Sequence, residues 1–288
     1  MAFIKVKARA KINLSLDVLD RRNDGYHDIE TVMQSLELHD TIVLKEKGKG
    51  IELRCSDPEI PTDESNLAFK AAKSIMDLFE IKQGISIEIQ KNIPAAAGLG
   101  GGSADAAAVL TGLNQLWRLG LNREELSGIG KNIGADVPFC LHGGTALCRG
   151  IGEKITELPP LPKLNLILLK PFINISTAWA YNKYDEISHI LTRPNTAAII
   201  KALEKKDVMT LAQNLCNVLE QVVINKFPFV EDLKALLKSV GALGSLMSGS
   251  GSCVYGIFND ESTAVRAYKI LKRNFDGKTI LTRTYAYI

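Results

Sequence analysis

Long apolar runs are missing. Nowhere in the 288 residues do about 18 apolar side chains follow one another, so no stretch reads as a membrane-spanning helix. The opening MAFIKVKARA alternates apolar and basic residues where a secretory signal would carry an apolar core, which predicts a cytoplasmic protein with no membrane partner. Cysteine is scarce and odd in number: Cys55, Cys140, Cys148, Cys216 and Cys253 include no C-x-x-C pair. A disulfide framework and a zinc site are thereby excluded, and reduced core thiols are expected. The four histidines, His27, His39, His142 and His189, lack ligand spacing and H-E-x-x-H is absent, so no structural metal site is expected. Charge of one sign is lacking too. Thirty-five Lys and Arg against 32 Asp and Glu leave +3, which is not the basic excess of a nucleic-acid binder. No internal repeat or low-complexity tract is present.

A hydrophobic fraction of 46% can fill two cores, and single cores stop growing near ~250–300 residues. Three prolines in ITELPPLPKLN remove N–H donors and stiffen the chain, which predicts a joint near Pro160 and domains at 1–160 and 161–288. Ahead of the joint, Phe3, Ile4 and Val6 begin an apolar segment. Ile12, Leu14, Leu16 and Val18 then alternate with Asn13, Ser15 and Asp17, which predicts the start of an antiparallel sheet. Asp24-Gly25 marks a turn, and strands are expected at 29–38, 41–45 and 51–54. Ser65 or Asn66 caps a helix with Leu67, Ala71, Ile75, Leu78 and Phe79 on one face, and Gly84 closes that unit before a strand at 85–90. Past the joint, a strand at 164–169, short amphipathic helices between Ser176 and Val240, a strand near Ser245, one at 253–258 and a last helix and strand predict α+β layers.

The most unusual stretch is KNIPAAAGLGGGSADAAAVLTGLNQLW, at 91–117. Four of the five residues Gly98-Leu99-Gly100-Gly101-Gly102 lack a Cβ, so the backbone can approach an anion and aim N–H groups at it. A helix beginning near Ser103 adds its positive end. No Lys-Ser/Thr follows as a Walker A loop requires, and Ser103 stands at the last glycine of G-x-G-x-x-G, so this is a different phosphate cradle. A flexible turn is the alternative, but clustered glycines cost of order 0.5–1 kcal/mol each within regular structure, which asks for a further reason. Asp105 is expected in the helix's first turn with its side chain pointing away from the nucleotide.

Two other features have ordinary explanations. Lys11, Asn13, Ser15 and Asp17 share one strand face, which alternation alone reads as solvated. Asp136, in Gly134-Ala135-Asp136-Val137-Pro138, suits a turn.

PAAAGLGGGSADAAA, at 94–108, resembles the phosphate loop of the GHMP kinases. AKINLSLDVLDRRNDGYHDIETVMQSLELHD at 10–40, GADVPFCLHGGTALCRGIGE at 134–153 and SLMSGSGSCVYGIF at 245–258 resemble the branch of that family acting on a cytidine-diphosphate-linked methylerythritol. The resemblance implies an α+β, two-domain GHMP kinase fold. Its N-terminal α/β domain would be related to the second domain of ribosomal protein S5, its C-terminal domain would be α+β, and the active site would lie in the cleft between them. It also implies a left-handed crossover near the phosphate loop. ATP and Mg²⁺ would be used, with phosphoryl transfer to the 2-hydroxyl of the methylerythritol unit in isoprenoid precursor synthesis.

By the same resemblance, Lys11 and Asp136 are the catalytic pair. Pro94, Ala95, Ala96, Ala97, Gly98, Leu99, Gly100, Gly101, Gly102, Ser103 and Ala104 form the ATP loop, and Asn66 lies on the adenine side, although capping explains Asn66 equally well. Ser103 reads either as a phosphate or Mg²⁺ contact or as the helix N-cap. Asn13, Tyr26, His27, Tyr181, Ser248 and Gly249 would bind the second substrate, with Tyr26 and Tyr181 on opposite faces of the cytosine and His27 at its edge. Tyr26 covering the hairpin and Tyr181 packing a helix are the structural alternatives. Ser252 and Leu246 depart from the family's usual alanine and glycine. The rival readings are a kinase of another small alcohol, such as homoserine or mevalonate, and a non-catalytic S5-like RNA-binding module; balanced charge disfavours the second. Metal ligands and oligomeric state are not readable.

Overall fold

The computed structural model describes residues 2–286. Contacts group the chain into two compact units. One holds the segment ending at Ala10, Leu38–Ala95 and Gly100–Gly143; the other holds Lys11–Glu37, Ala96–Leu99 and the chain from Gly144. Among the described residues no helix is long and apolar enough to cross a membrane.

Two long strands, β1 (Phe3–Arg21) and β2 (His27–Lys47), contribute to both units. The strands expected at 29–38 and 41–45 are therefore one. His39-Asp40 does not turn the chain, because the Asp40 carboxylate accepts the N–H groups of Asn92 and Ile93 while its own backbone stays extended. In the first unit, β3 (Ile51–Cys55) runs parallel to β4 (Gly84–Gln90), and β4 runs antiparallel to β2 from Thr41↔Gln90 to Lys47↔Gly84. Gly84 begins a strand instead of closing a unit, and a Cβ there would meet the Lys49–Gly50 backbone at 2.4–2.7 Å.

Helix α1 (Leu67–Leu78) buries Ala68, Ala71, Ala72 and Ile75, and its small residues let it lie against the alanine-rich α2 (Gly101–Leu116). Leu78 and Phe79 were expected on the buried face, but they fall at the helix end, past the small residues that make the contact, and are exposed. Helix α2 begins at Gly101, ahead of Ser103, and ends at the cap residue Trp117. Gly112 lets it settle on the sheet, since a Cβ there would come within 2.5 Å of Leu44 and 3.2 Å of Val6. Helices α3 (Arg123–Gly130) and α4 (Val137–His142) complete the unit.

Asp105 lies in the second turn of α2, beyond the first turn where the sequence put it. Its buried carboxylate bonds Lys91 at 2.8 Å, and Lys91 also bonds the buried Asp40. Burial alone would lower Lys91, but the two carboxylates outweigh it and raise its pKa. Burial pushes Asp105 up to about 7 against the pull of Lys91, with Asp40 adding repulsion, and its Oδ1 has no partner among the described residues. The half-buried Cys55 thiol feels the same charges.

The second unit contains β5 (Thr145–Gly150), β6 (Lys154–Glu157), β7 (Asn165–Lys170), α5 (Thr177–Asp185), α6 (Thr196–Lys205), α7 (Val208–Gln213), β8 (Cys216–Asn217), α8 (Leu219–Lys226), α9 (Phe229–Ser239), β9 (Gly244–Met247), β10 (Val254–Phe258), α10 (Glu261–Asn274) and β11 (Lys278–Arg283). Strands β11, β7, β10 and β9 form an antiparallel sheet in that order. Strand β5 pairs antiparallel with β2 from Ile29↔Gly150 to Gln34↔Thr145, and β8 pairs parallel with β1 at Ser15 and Leu16. Ile167, Leu169, Val223, Val230, Leu237, Val254 and Phe258 form the centre of its core. Cys148 and Cys253 are core thiols as expected, and burial raises Cys253 to about 12. Cys55, Cys140 and Cys216 are only half-buried, so the expectation of core thiols fails for these three.

A raised carboxyl binds protons more tightly folded than unfolded, so ionised Asp105 lowers stability fully above pH ~7 and is relieved as pH falls toward 4. In urea titrations from pH 5 to 8, the stability of Asp105→Asn relative to the native protein is expected to rise with pH, by at most about 1.4 kcal/mol per unit. A constant difference refutes it.

Candidate active site

In the second unit the polar side of β1 is not solvated. Lys11 is 4% exposed and Asn13 and Ser15 are 0%, while Ile12, Leu14 and Leu16 are buried on the other side. This corrects the expectation from alternation: strand β1 is covered on both faces, so its polar groups must bond protein. Lys11 Nζ donates to Asn13 Oδ1 at 2.9 Å, and Asn13 Nδ2 donates to Thr31 Oγ1 at 2.8 Å. Thr31 donates on to the Ser15 carbonyl, and Ser15 Oγ accepts the Val32 N–H. The buried Tyr255 hydroxyl donates to the Asn13 carbonyl at 2.9 Å. Asp17 accepts from Arg193 at 2.6 Å; burial raises its pKa and the guanidinium opposes the rise.

Residues 96–99 of the glycine loop lie against the turn at 248–251. Ser248 Oγ donates to the Gly98 carbonyl at 2.9 Å, Cys253 N–H to the Ala97 carbonyl at 3.3 Å, and Lys11 N–H to the Leu99 carbonyl at 3.0 Å. Three successive carbonyls are thus held by protein. Gly98 has φ +72°, and a Cβ there would fall 1.9 Å from the Ser248 carbonyl oxygen, so no other residue fits. Gly249 has φ +55° and its carbonyl accepts from Asn217 Nδ2 at 2.8 Å. The two glycine segments, read separately in the sequence, are one packed feature.

His27 is buried, with Nε2 2.7 Å from Asp185 Oδ1 and its ring 5.1 Å from that of Tyr181, tilted 34°. Asp185 also bonds Arg21 at 3.3 Å. Tyr26 is 60% exposed and its N–H donates to the Asp24 side chain at 3.1 Å, with Gly25 at φ +86° completing the turn. His27 and Tyr181 therefore meet, while the Tyr26 ring faces solvent. Thr31, Asp185, Asn217 and Tyr255 escaped the sequence reading; each reaches its partner across 16 to 242 residues and carries no local signal.

In the first unit, Gly100 is the N-cap of α2 in the left-handed region, φ +67°, with no side-chain capping bond. The N–H groups of Gly101, Gly102 and Ser103 thus begin a 16-residue helix without an intrahelical acceptor. Ser103 is inside the helix, so the N-cap reading of Ser103 is wrong; a glycine that reaches φ > 0 takes that place. Its hydroxyl is 3.5 Å from where a Gly134 Cβ would stand. Asp136 is the N-cap residue of α4, yet its carboxylate makes no capping bond there, so capping does not account for it. Asn66 caps α1 with Oδ1, accepting from Ala68 N–H at 2.8 Å, and donates to the Pro61 carbonyl at 2.7 Å. No three His, Cys, Asp or Glu residues gather as a metal group among the described residues.

Residues 66–144 match the GHMP kinases N terminal domain and residues 199–277 match the GHMP kinases C terminal. A 4-diphosphocytidyl-2-C-methyl-D-erythritol kinase of Acetivibrio thermocellus is 48% identical over 99% of this chain and 100% of that relative. The chain belongs to the GHMP kinase family. A kinase of the same description from Caldicellulosiruptor saccharolyticus is 49% identical over 97% of this chain and 96% of its own length. The crystal structure of a 4-(cytidine 5'-diphospho)-2C-methyl-D-erythritol kinase superposes with TM-score 0.83 at 30% identity, covering 99% of this chain and all of that one. Homoserine kinase from Cytophaga hutchinsonii shares the fold at TM-score 0.77 and 22% identity, over 99% of this chain and 95% of that one. The expected α+β fold with N- and C-terminal GHMP kinase parts stands, and with it a kinase activity that uses ATP.

Gly98→Ala and Gly120→Ala both place alanine at φ near +72°, but Gly120 has open space around it. Gly120→Ala should cost about 1–2 kcal/mol for its backbone alone. Gly98→Ala should lose on the order of 3 kcal/mol or more, because backbone must move. Equal midpoints in urea would contradict the packing described.

Proposed function

We propose that the chain transfers the γ-phosphoryl group of ATP to the 2-hydroxyl of 4-diphosphocytidyl-2-C-methyl-D-erythritol, in the cytoplasm. Near-half identity over essentially the full length to kinases of that substrate carries the reading. The buried Lys11–Asn13–Thr31 row supports the chemistry, since an ammonium held in a dry, hydrogen-bonded frame acts on charge far more strongly than one in water.

The acceptor oxygen forms its bond to the γ-phosphorus as the bond to the β,γ-bridging oxygen breaks, releasing ADP. In a loose transition state the nucleophile needs little early activation, so Asp136 orients the hydroxyl and takes its proton as bonding proceeds. Lys11 steadies the developing oxygen charge, and Asn13 holds the ammonium in place. The glycine loop from Pro94 through Ala104 receives the triphosphate on the uncapped N-terminus of α2. Asn66 contributes on the adenine side through α1, whose start it caps. Ser248 and Gly249 support the loop and line the second substrate's site. His27, steadied by Asp185 and Tyr181, reads the cytosine edge, and the exposed Tyr26 ring stacks on the base. The same reading divides the chain into domains at 1–160 and 161–288.

Mg²⁺ would be bound together with the nucleotide. The Ser103 hydroxyl, in the first turn of α2, is the protein group that would join the phosphates in holding it. When bound it neutralises phosphate charge.

Asp136→Asn and Lys11→Met, each shown to be folded, are expected to lose turnover by at least ~100-fold, the lower end of general acid–base effects. ADP release should be seen with the cytidyl methylerythritol substrate and not with homoserine or mevalonate. Near-normal turnover in both variants removes the catalytic pair, and turnover on another alcohol alone removes the substrate. Tyr26→Ala should raise KM for the cytidyl substrate by about 5-fold or more, the value of one stacking contact, with KM for ATP unchanged. An unchanged KM takes Tyr26 out of the site.

A further inference from the structure

We propose that Asp40, Lys91 and Asp105 are positioning residues for nucleotide binding: a buried clamp that fixes both ends of the glycine loop relative to each other. The proposal rests on the reading of that loop as the ATP phosphate site. It concerns residues outside the loop.

The geometry is closed at each end. Asp40 Oδ1 accepts the N–H groups of Asn92 and Ile93, at 2.5 and 2.8 Å, the two residues that lead into Pro94. Its other oxygen bonds Lys91 Nζ at 2.5 Å, and the same ammonium reaches Asp105 Oδ2, in the second turn of α2, at 2.8 Å. One lysine therefore joins the chain entering the loop to the helix leaving it, across residues 94–100. All three side chains are 7% exposed or less. Gly101 lets the helix sit down on this joint, because a Cβ there would stand 3.4 Å from Lys91 Nζ and 3.1 Å from Ile93.

A loop with this many glycines has the most backbone freedom to lose on binding an anion. Fixing its ends in advance removes part of that loss and aims the amides before the phosphate arrives. The clamp works by geometry and not by attracting phosphate, because two carboxylates already face the single ammonium.

The test uses the full chain and direct titration of ATP, ADP and adenosine, together with steady-state kinetics. Lys91→Met and Asp40→Asn are expected to weaken ATP and ADP binding roughly tenfold or more, as small displacements of a binding group do. Adenosine binding should be unchanged, and KM for the alcohol substrate should stay within about twofold of its native value. Unchanged ATP binding, or equal losses for ATP, adenosine and the alcohol, would overturn the clamp. If these variants do not fold, Asp105→Asn, which keeps the shape of the side chain and lies outside the loop, is read by the same criteria. A native protein that binds no ATP would instead refute the reading of the loop.

Discussion

A strand covered on both faces is the constraint from which the second unit follows. Burying Lys11, Asn13 and Ser15 on β1 opposite Ile12, Leu14 and Leu16 removes water as a partner for a lysine, an amide and a hydroxyl at once. An unmet buried group costs ~1–3 kcal/mol, and more if charged. Asn13 accepts from the lysine, Thr31 on β2 accepts from the amide and the Val32 N–H on β2 donates to the Ser15 hydroxyl, while the Tyr255 hydroxyl from β10 holds the Asn13 carbonyl, so the strand is bound laterally to elements distant in sequence. An arrangement so expensive to leave incomplete holds one geometry. Under the proposed function, that is what a transferring phosphoryl group would require of the groups around it.

The first unit reaches rigidity by other means. Alanine and glycine on α2 bring the helix close to α1 and to the sheet, and beneath it one buried ammonium ties two carboxylates together. The uncapped N-terminus contrasts with α1, α3, α5, α6, α7 and α10, which carry side-chain caps. A helix of 16 residues whose first amides are left to neither side chain nor turn is suited to an outside acceptor.

Much of this was legible in the residues. Alternation located β1, the Asp24-Gly25 pair located the turn, and the glycine run followed by alanine-rich sequence located the loop that leads into α2. Alternation reports a period but not what covers the second face, so the row from Lys11 to Asp17 read as solvated until its partners were seen. The pair at His39 and Asp40 read as a break because its acceptor role depends on amides fifty residues away. Ser103 lost the capping position because Gly100, free to take φ > 0, starts the helix earlier. Asp185 behind His27 had no local mark, since nothing in residues near 27 or 185 encodes a meeting across 158 positions.

The contact between Gly98 and Ser248 has a consequence for anyone exchanging parts among these enzymes. Two stretches of main chain touch with no room for a methyl group, and the Ser248 hydroxyl closes the seam. A phosphate loop grafted from a relative without its matching 248–251 turn would arrive with the wrong counterpart. The two stretches form a single packed cassette, although they stand 150 positions apart.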